Sequence, residues 1–294
     1  MKTINIRAFI NAIKTEMQSR LYEYELTEQD IVKMNDITMH GLVARREGEN
    51  AGATVYLDEP FKRFLKGDSI VDIADELSET ILMADGHKPI EKAEDIDLSF
   101  DGIKDKLTLR LIDIEKNKTY LEEHPHRFIG AGLAVIAEIN LGDDYSIVVN
   151  NSMAEEYDII DLFDTAEENM RKLYPAQLIS LEGAIFGDTR NILDGTDEDI
   201  EGVYTLMIGE GHGFGASTLA YKGVAERVRN LLGSGYFILP SSLHEVIILK
   251  DDGTARASDL KDMVVQANRS VVEPTDVLSD SVFHYGADGL SRIA

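Results

Sequence analysis

The 294-residue chain has no cysteine and no tryptophan, only 6 prolines, and 29 basic residues against 54 acidic ones. Without cysteine there is no disulfide framework, thiolate zinc site, iron–sulfur cluster or cysteine nucleophile. The shortage of Lys and Arg leaves a formal net charge of −25. That argues against a broad nucleic-acid-binding face, because phosphate contacts are made by excess basic side chains. Long apolar runs are missing as well. The most apolar stretch, Leu133 to Ile139, already contains Glu138, whereas a membrane-spanning helix needs about 20 apolar residues. The start, Met1-Lys2-Thr3-Ile4-Asn5-Ile6-Arg7, lacks the unbroken apolar core of a signal peptide. A cytoplasmic protein is therefore expected, whose acidic surface is repelled by anionic lipid. What is present is ordinary: 44% hydrophobic and 28% charged residues suffice for one or two packed cores.

The charge is unevenly spread. Residues 141–201 carry 16 acids and only the bases Arg171, Lys172 and Arg190. Residues 202–294 carry 11 acids and 8 bases and are nearly balanced. One reading makes the protein a nucleic-acid mimic that blocks a DNA- or RNA-binding protein. Duplex DNA carries a charge every ~1.7 Å of axis, so mimicry requires the 141–201 carboxylates to share one face. The plainer reading is a solvated, solubilising surface.

Periodicity predicts an amphipathic helix over 4–21, with Ile6, Phe9, Ile10, Ile13, Met17 and Leu21 on one stripe. Strand-like stretches follow at 31–46 and 53–57. Ser69 and Asp72 signal the start of a helix running to about Met83. The polar stretch 85–97 marks a first boundary. Next, Leu107, Leu109 and Leu111 alternate with Thr108 and Arg110 as in a half-buried strand, and 133–139 and 145–149 form a hairpin. A helix is predicted around 159–173, its acids early and Arg171 and Lys172 late, which complements the helix dipole. The last segment reads as a strand (203–208), a glycine-rich turn and a helix (217–232). Strands at 236–239 and 246–249, a helix at 259–267 and a strand near 282–285 follow. The pattern implies an α+β fold of two or three small lobes built on antiparallel sheets with flanking helices. The expected division is an N-terminal lobe 1–98, a middle lobe 99–182, an acidic linker 183–202 and a C-terminal lobe 203–294.

Several groups of residues have the composition of a functional site. Gly211, Gly213 and Ala216 fit G-x-G-x-x-A between a strand and a helix, the turn that places a pyrophosphate on a helix N-terminus. No acid ends the following strand to hold a ribose, so a strand–helix connection is the simpler reading. Ser242, His244 and Glu245 bring a hydroxyl, an imidazole and a carboxylate together, as a hydrolase would. Neighbours in one strand are poorly placed for an in-line hydrogen bond, however, and such groups commonly satisfy backbone at a strand junction. His124 and His126 offer two metal ligands with Pro125 between them, but no spaced third histidine. Asp194, Asp197, Glu198, Asp199 and Glu201 form the acidic loop that is the candidate interaction surface.

The string Tyr236-Phe237-Ile238-Leu239-Pro240-Ser241-Ser242-Leu243-His244-Glu245-Val246-Ile247-Ile248-Leu249 resembles the hallmark of the uncharacterised bacterial "domain of unknown function" family number 5688. So do Met263 to Asn268, Val272-Glu273-Pro274 and Leu278-Ser279-Asp280. Upstream, His40-Gly41-Leu42, Thr54-Val55-Tyr56-Leu57 with Phe61, Glu115-Lys116-Asn117-Lys118 and Pro125-His126-Arg127 resemble the same family. The resemblance covers nearly the whole chain and implies a cytoplasmic α+β protein, but no activity, cofactor or partner. The glycine run 209–215 departs from the short polar turn that the resemblance leads one to expect. The expectation is thus a non-enzymatic protein without cofactor that acts through contacts with an unknown protein partner, for which a basic one is the candidate. A hydrolase using Ser242 and His244 is the alternative.

Overall fold

The computed structural model describes residues 5–49, 52–86, 96–142, 145–187, 190–195, 200–209, 214–240 and 242–294. The chain forms two compact units, Met1–Lys33 with Ile37–Asp97, and Met34–Asp36 with Leu98–Ala294.

Unit 1 is a three-stranded antiparallel sheet, β1 (Tyr24–Lys33), β2 (Ile37–Arg46) and β3 (Ala53–Tyr56), with helices α1 (Ile6–Gln18), α2 (Asp58–Lys66) and α3 (Ile70–Gly86). The side chain of Asn5 accepts a hydrogen bond from the Ala8 N–H at 2.9 Å and so fixes the start of α1. The predicted stripe is the buried one: Phe9, Ile10, Ile13 and Met17 face the core with Leu26, Leu42, Val55, Ile73 and Ile81. Three features differ from the sequence expectation. Strand β1 begins at Tyr24, ahead of the strand expected from 31. The expected strand 31–46 is two strands, because Asn35 and Asp36 take left-handed backbone angles between them. Helix α2 was not expected, although Asp58 and Glu59 lead it and Gly67 ends it at φ 116°.

Unit 2 holds two antiparallel sheets. The smaller contains β4 (Leu107–Asp113), β6 (Leu133–Gly142) and β5 (His126–Gly130) in that order, with β7 (Tyr145–Val148) paired to β6. The larger runs β13 (Gly289–Arg292), β12 (Phe283–Gly286), β10 (Tyr236–Leu239), β11 (Glu245–Lys250), β9 (Val203–Ile208), β8 (Ala176–Ser180). Its helices are α4 (Phe100–Ile103), α5 (Asn151–Ala154), α6 (Ile159–Leu173), α7 (Leu181–Phe186), α8 (Val224–Leu232) and α9 (Ala257–Ser270). The α+β class with antiparallel sheets and flanking helices is as expected.

Strand β10 shows why its sequence is apolar throughout. Tyr236 and Ile238 join the main core with β4, β6 and α6, while Phe237 and Leu239 pack with Leu260 and Val264 of α9. Both faces of the strand are covered, so period-2 alternation has no solvent side to mark. The same holds for β4, expected to be half-buried but buried at six of seven positions. The 3-10 turn Gly215–Ala220 lies against it, and the buried Ser217 hydroxyl accepts the Leu111 N–H at 3.0 Å. That turn also replaces the first part of the helix expected from 217. The α-helix begins only after Gly223, which stands at φ 85°.

Candidate functional site

Several of the strings that carry the family resemblance, all of them in unit 2, meet around one buried carboxylate. Asp113 ends β4 and is almost wholly buried. Its Oδ1 accepts the Glu115 N–H at 2.9 Å and pairs with the Arg292 guanidinium at 2.8 Å. Its Oδ2 accepts the Ser279 hydroxyl. Arg292 also donates to the carbonyls of Ala131 and Gly132. Lys116 pairs with Asp280 at 2.7 Å, and Asn268 of α9 donates to Asp280 and to the Ser279 carbonyl, both at 2.9 Å. Burial pushes the Asp280 carboxyl up, but the bonds from Lys116 and Asn268 outweigh it and hold the group below the usual range. The fully buried Asn117 donates to the Asp113 carbonyl at 2.8 Å and accepts the Asn35 N–H at 2.7 Å. Asn35 in turn donates to the carbonyls of Pro274 and Val277. Glu115-Lys116-Asn117-Lys118, Asn268, Pro274 and Leu278-Ser279-Asp280 thus form one network of buried polar groups and backbone, in which Asn268 Oδ1 alone is buried without a partner among the described residues.

The Ser242–Glu245 junction adjoins this network, since the Leu243 N–H donates to the Asp276 carbonyl at 2.9 Å. Ser242 is buried. Its Oγ accepts the backbone N–H of His244 at 3.1 Å and donates to Glu245 Oε1 at 3.4 Å. The half-exposed His244 ring pairs through Nε2 with Asp276 at 3.5 Å. The serine is therefore used as a local turn cap. Ser242→Ala is expected to cost about 1 kcal/mol, the usual worth of a lost hydrogen bond. A serine-reactive fluorophosphonate is expected to leave wild-type Ser242 unlabelled; Ser242-dependent labelling would restore the nucleophile.

Ala216 sits in the 3-10 turn and donates its N–H to the Leu243 carbonyl at 3.1 Å. Gly211 and Gly213 lie outside the described residues. A Cβ on Gly215 would collide with the His244 carbonyl oxygen and stand 2.8 Å from Ile208 N. The end of the glycine run is thus fixed by close backbone packing between β9 and the His244 segment.

His124 stacks on Tyr120 with ring centroids 4.1 Å apart, and its Nδ1 lies 2.7 Å from the Tyr120 carbonyl oxygen. His126 Nδ1 lies 3.3 Å from the His124 carbonyl oxygen. No group of three His, Asp or Glu placed to hold a metal ion occurs among the described residues.

Of the acidic surface, Asp197, Glu198 and Asp199 lie outside the described residues. Asp194 accepts from Asn191 at 3.2 Å, and Glu201 pairs with Lys250 at 2.7 Å. Asn191 also lines the outer edge of β8, accepting the Leu178 N–H at 2.9 Å and donating to the Ala176 carbonyl at 3.3 Å. At the other end of β8, the side chain of Ser180 caps α7. There Ile185 is 71% and Phe186 79% exposed, beside a cavity of about 460 Å³ lined also by Glu182, Glu201, Val203 and Tyr204. The charge skew points to this region, but not to its apolar side chains.

A second pair escapes sequence reading altogether. Arg110 and Glu138 meet diagonally across β4 and β6 at 2.6 Å, the carboxylate only 1% exposed. The Arg110 guanidinium lies 3.7 Å from the centre of the Phe214 ring and 3.1 Å from the sulfur of Met34. Burial pushes the Glu138 carboxyl above its ordinary value, and Arg110 and Ser146 only partly pull it back.

No helix among the described residues is long and apolar enough to cross a membrane. No curated protein and no solved structure matches the chain. A family model described as a family of unknown function, DUF5688, matches residues 6–287. The strings that meet around Asp113 and at the Ser242 junction lie within that match, and the chain belongs to the DUF5688 family.

Proposed function

We propose that the protein is a non-enzymatic cytoplasmic protein that works through contact with another protein, at the surface formed by α7 and the start of β9. The observation that carries this reading is the pair Ile185 and Phe186, two large apolar side chains in solvent at the mouth of an apolar cavity. Exposed aromatic groups beside a pocket are the usual anchors of protein interfaces. Glu182 and Glu201 flank them in a stretch carrying 16 acids against three bases. The fitting occupant is a segment of a partner that presents apolar side chains between basic ones, drawn in and oriented by charge.

Photocrosslinking from p-benzoylphenylalanine at position 186, in cells that make the protein, tests this. Position 271, where Val271 is 80% exposed, serves as the control. One partner with a basic contact segment is expected to crosslink from 186 and not from 271. Its purified binding is expected to weaken about tenfold or more with Ile185→Asp, a loss typical of an anchor residue, and to weaken with rising salt. Crosslinking no stronger from 186 than from 271 would remove the reading.

A further inference from the structure

We propose that a second cavity, at the opposite end of β8, is a binding site for a small phosphate monoester. This cavity of about 340 Å³ is lined by Arg171, Lys222 and Arg227, with Pro175, Leu193 and Val224 among its apolar walls. Three cations converging on one cavity stand out in a chain of net charge −25. Elsewhere arginines are typically taken up by carboxylates: Arg63 by Asp68 and Glu76, Arg127 by Asp164 and Glu167, Arg292 by Asp113. Among the described residues, Arg171, Lys222 and Arg227 pair with no carboxylate.

The site is assembled from separate parts of the chain and held in place. Arg171 comes from the last turn of α6. Lys222 precedes α8, and its backbone N–H donates to Glu167 Oε1 at 2.9 Å. The Tyr221 hydroxyl donates to the Tyr174 carbonyl at 3.0 Å, which ties the two segments flanking the cavity. Arg227 donates to the carbonyls of Leu193 and Gly195, which hold its guanidinium without neutralising it. Two guanidinium groups and an ammonium suit a phosphate, which takes several charge-assisted hydrogen bonds and carries close to two negative charges. The apolar walls leave room for an organic group, and the volume lies at the small end of ligand pockets. This site is independent of the α7 surface.

Titration calorimetry of the full chain with phenyl phosphate, inorganic phosphate and benzoate, in about 0.15 M salt, tests the assignment. Phenyl phosphate is expected to bind one per chain, more tightly than inorganic phosphate, which lacks the apolar group, and than benzoate, which lacks the second charge. Arg171→Ala and Lys222→Ala are each expected to weaken binding about tenfold, as the loss of one charge-assisted contact does. Both side chains are exposed and bond to no other side chain among the described residues, so both variants should melt with wild type; Lys172→Ala, outside the lining, should bind as wild type does. Absence of saturable binding by phenyl phosphate overturns the proposal. Undiminished binding by the Arg171→Ala/Lys222→Ala double variant overturns it too, as does benzoate binding as tightly as phenyl phosphate.

Discussion

Replacing Glu138 with leucine is expected to destabilise unit 2 by about 3–5 kcal/mol, and adding Arg110→Met to the same chain is expected to recover most or all of that loss. The single change leaves the Arg110 guanidinium against the Phe214 ring and the Met34 sulfur with its carboxylate gone. A buried charge without its counter-charge is far more costly than the pair. The pair itself is imperfectly satisfied. Arg110 Nε and Glu138 Oε1 are buried without a hydrogen-bond partner among the described residues, although the two groups approach to 2.6 Å. Their mutual attraction therefore offsets desolvation only in part, and an apolar pair of similar volume fills the same space. Urea unfolding of wild type, both single variants and the double variant closes the thermodynamic cycle. A double variant as unstable as Glu138→Leu alone would show the pair to be net favourable.

The same pair fixes a pH dependence. Burial raises the Glu138 carboxyl pKa in the folded protein above its unfolded value. Such a group contributes stability at pH below the unfolded value, and that contribution is lost as pH rises through the folded one. Burial pushes the nearby Tyr120 up to about 12, far from the range concerned. As pH falls from 7 toward 5, wild type is therefore expected to gain stability relative to the Arg110→Met/Glu138→Leu variant. A relative loss over that range would mean that Glu138 is held ionised.

Why this pair is hidden in the sequence follows from how alternation works. Arg110 sits between Leu109 and Leu111, the pattern of a strand with one wet face. That face is covered by Phe214 and the Gly215–Ala220 turn, over a hundred residues later. Asp113 and Arg292 are 179 residues apart, and no local period links them. Helix α1 and strand β10 are legible because their own side chains carry the burial pattern. Strand β1 is not, since only Tyr24 and Leu26 face inward and Thr27 to Asp30 are exposed. Helix α2 is masked by Pro60 in its first turn, which suits a helix start as well as a loop. The Ser242 string is legible as a string, but its partner Asp276 is supplied only by the fold.

The other large effect belongs to the glycine run. Gly215→Ala is expected to destabilise unit 2 by more than about 3 kcal/mol, above the usual range for overpacking, and to lower its unfolding temperature by roughly 10 °C. The atoms around the added Cβ are backbone: the His244 carbonyl oxygen, Ile208 N at 2.8 Å and Met207 Cα at 3.0 Å. Met207 and Ile208 are anchored in β9, where Met207 pairs with Glu245 of β11 and Ile208 with Ala176 of β8. No rotamer change relieves such a contact, so the sheet or the turn must shift. Gly209, at the other end of the run, supplies the comparison. A Cβ there meets the Gln177 side-chain amide at 2.9 Å, a flexible end that swings aside, so Gly209→Ala is expected to cost less than about 1 kcal/mol. If both substitutions cost the same small amount, the run is not held by packing, and a ligand-holding role for its amides returns. If Gly215→Ala alone is severe, the glycine at this end serves the close approach of two backbones, and Ser217 can reach the edge of β4 only because of it.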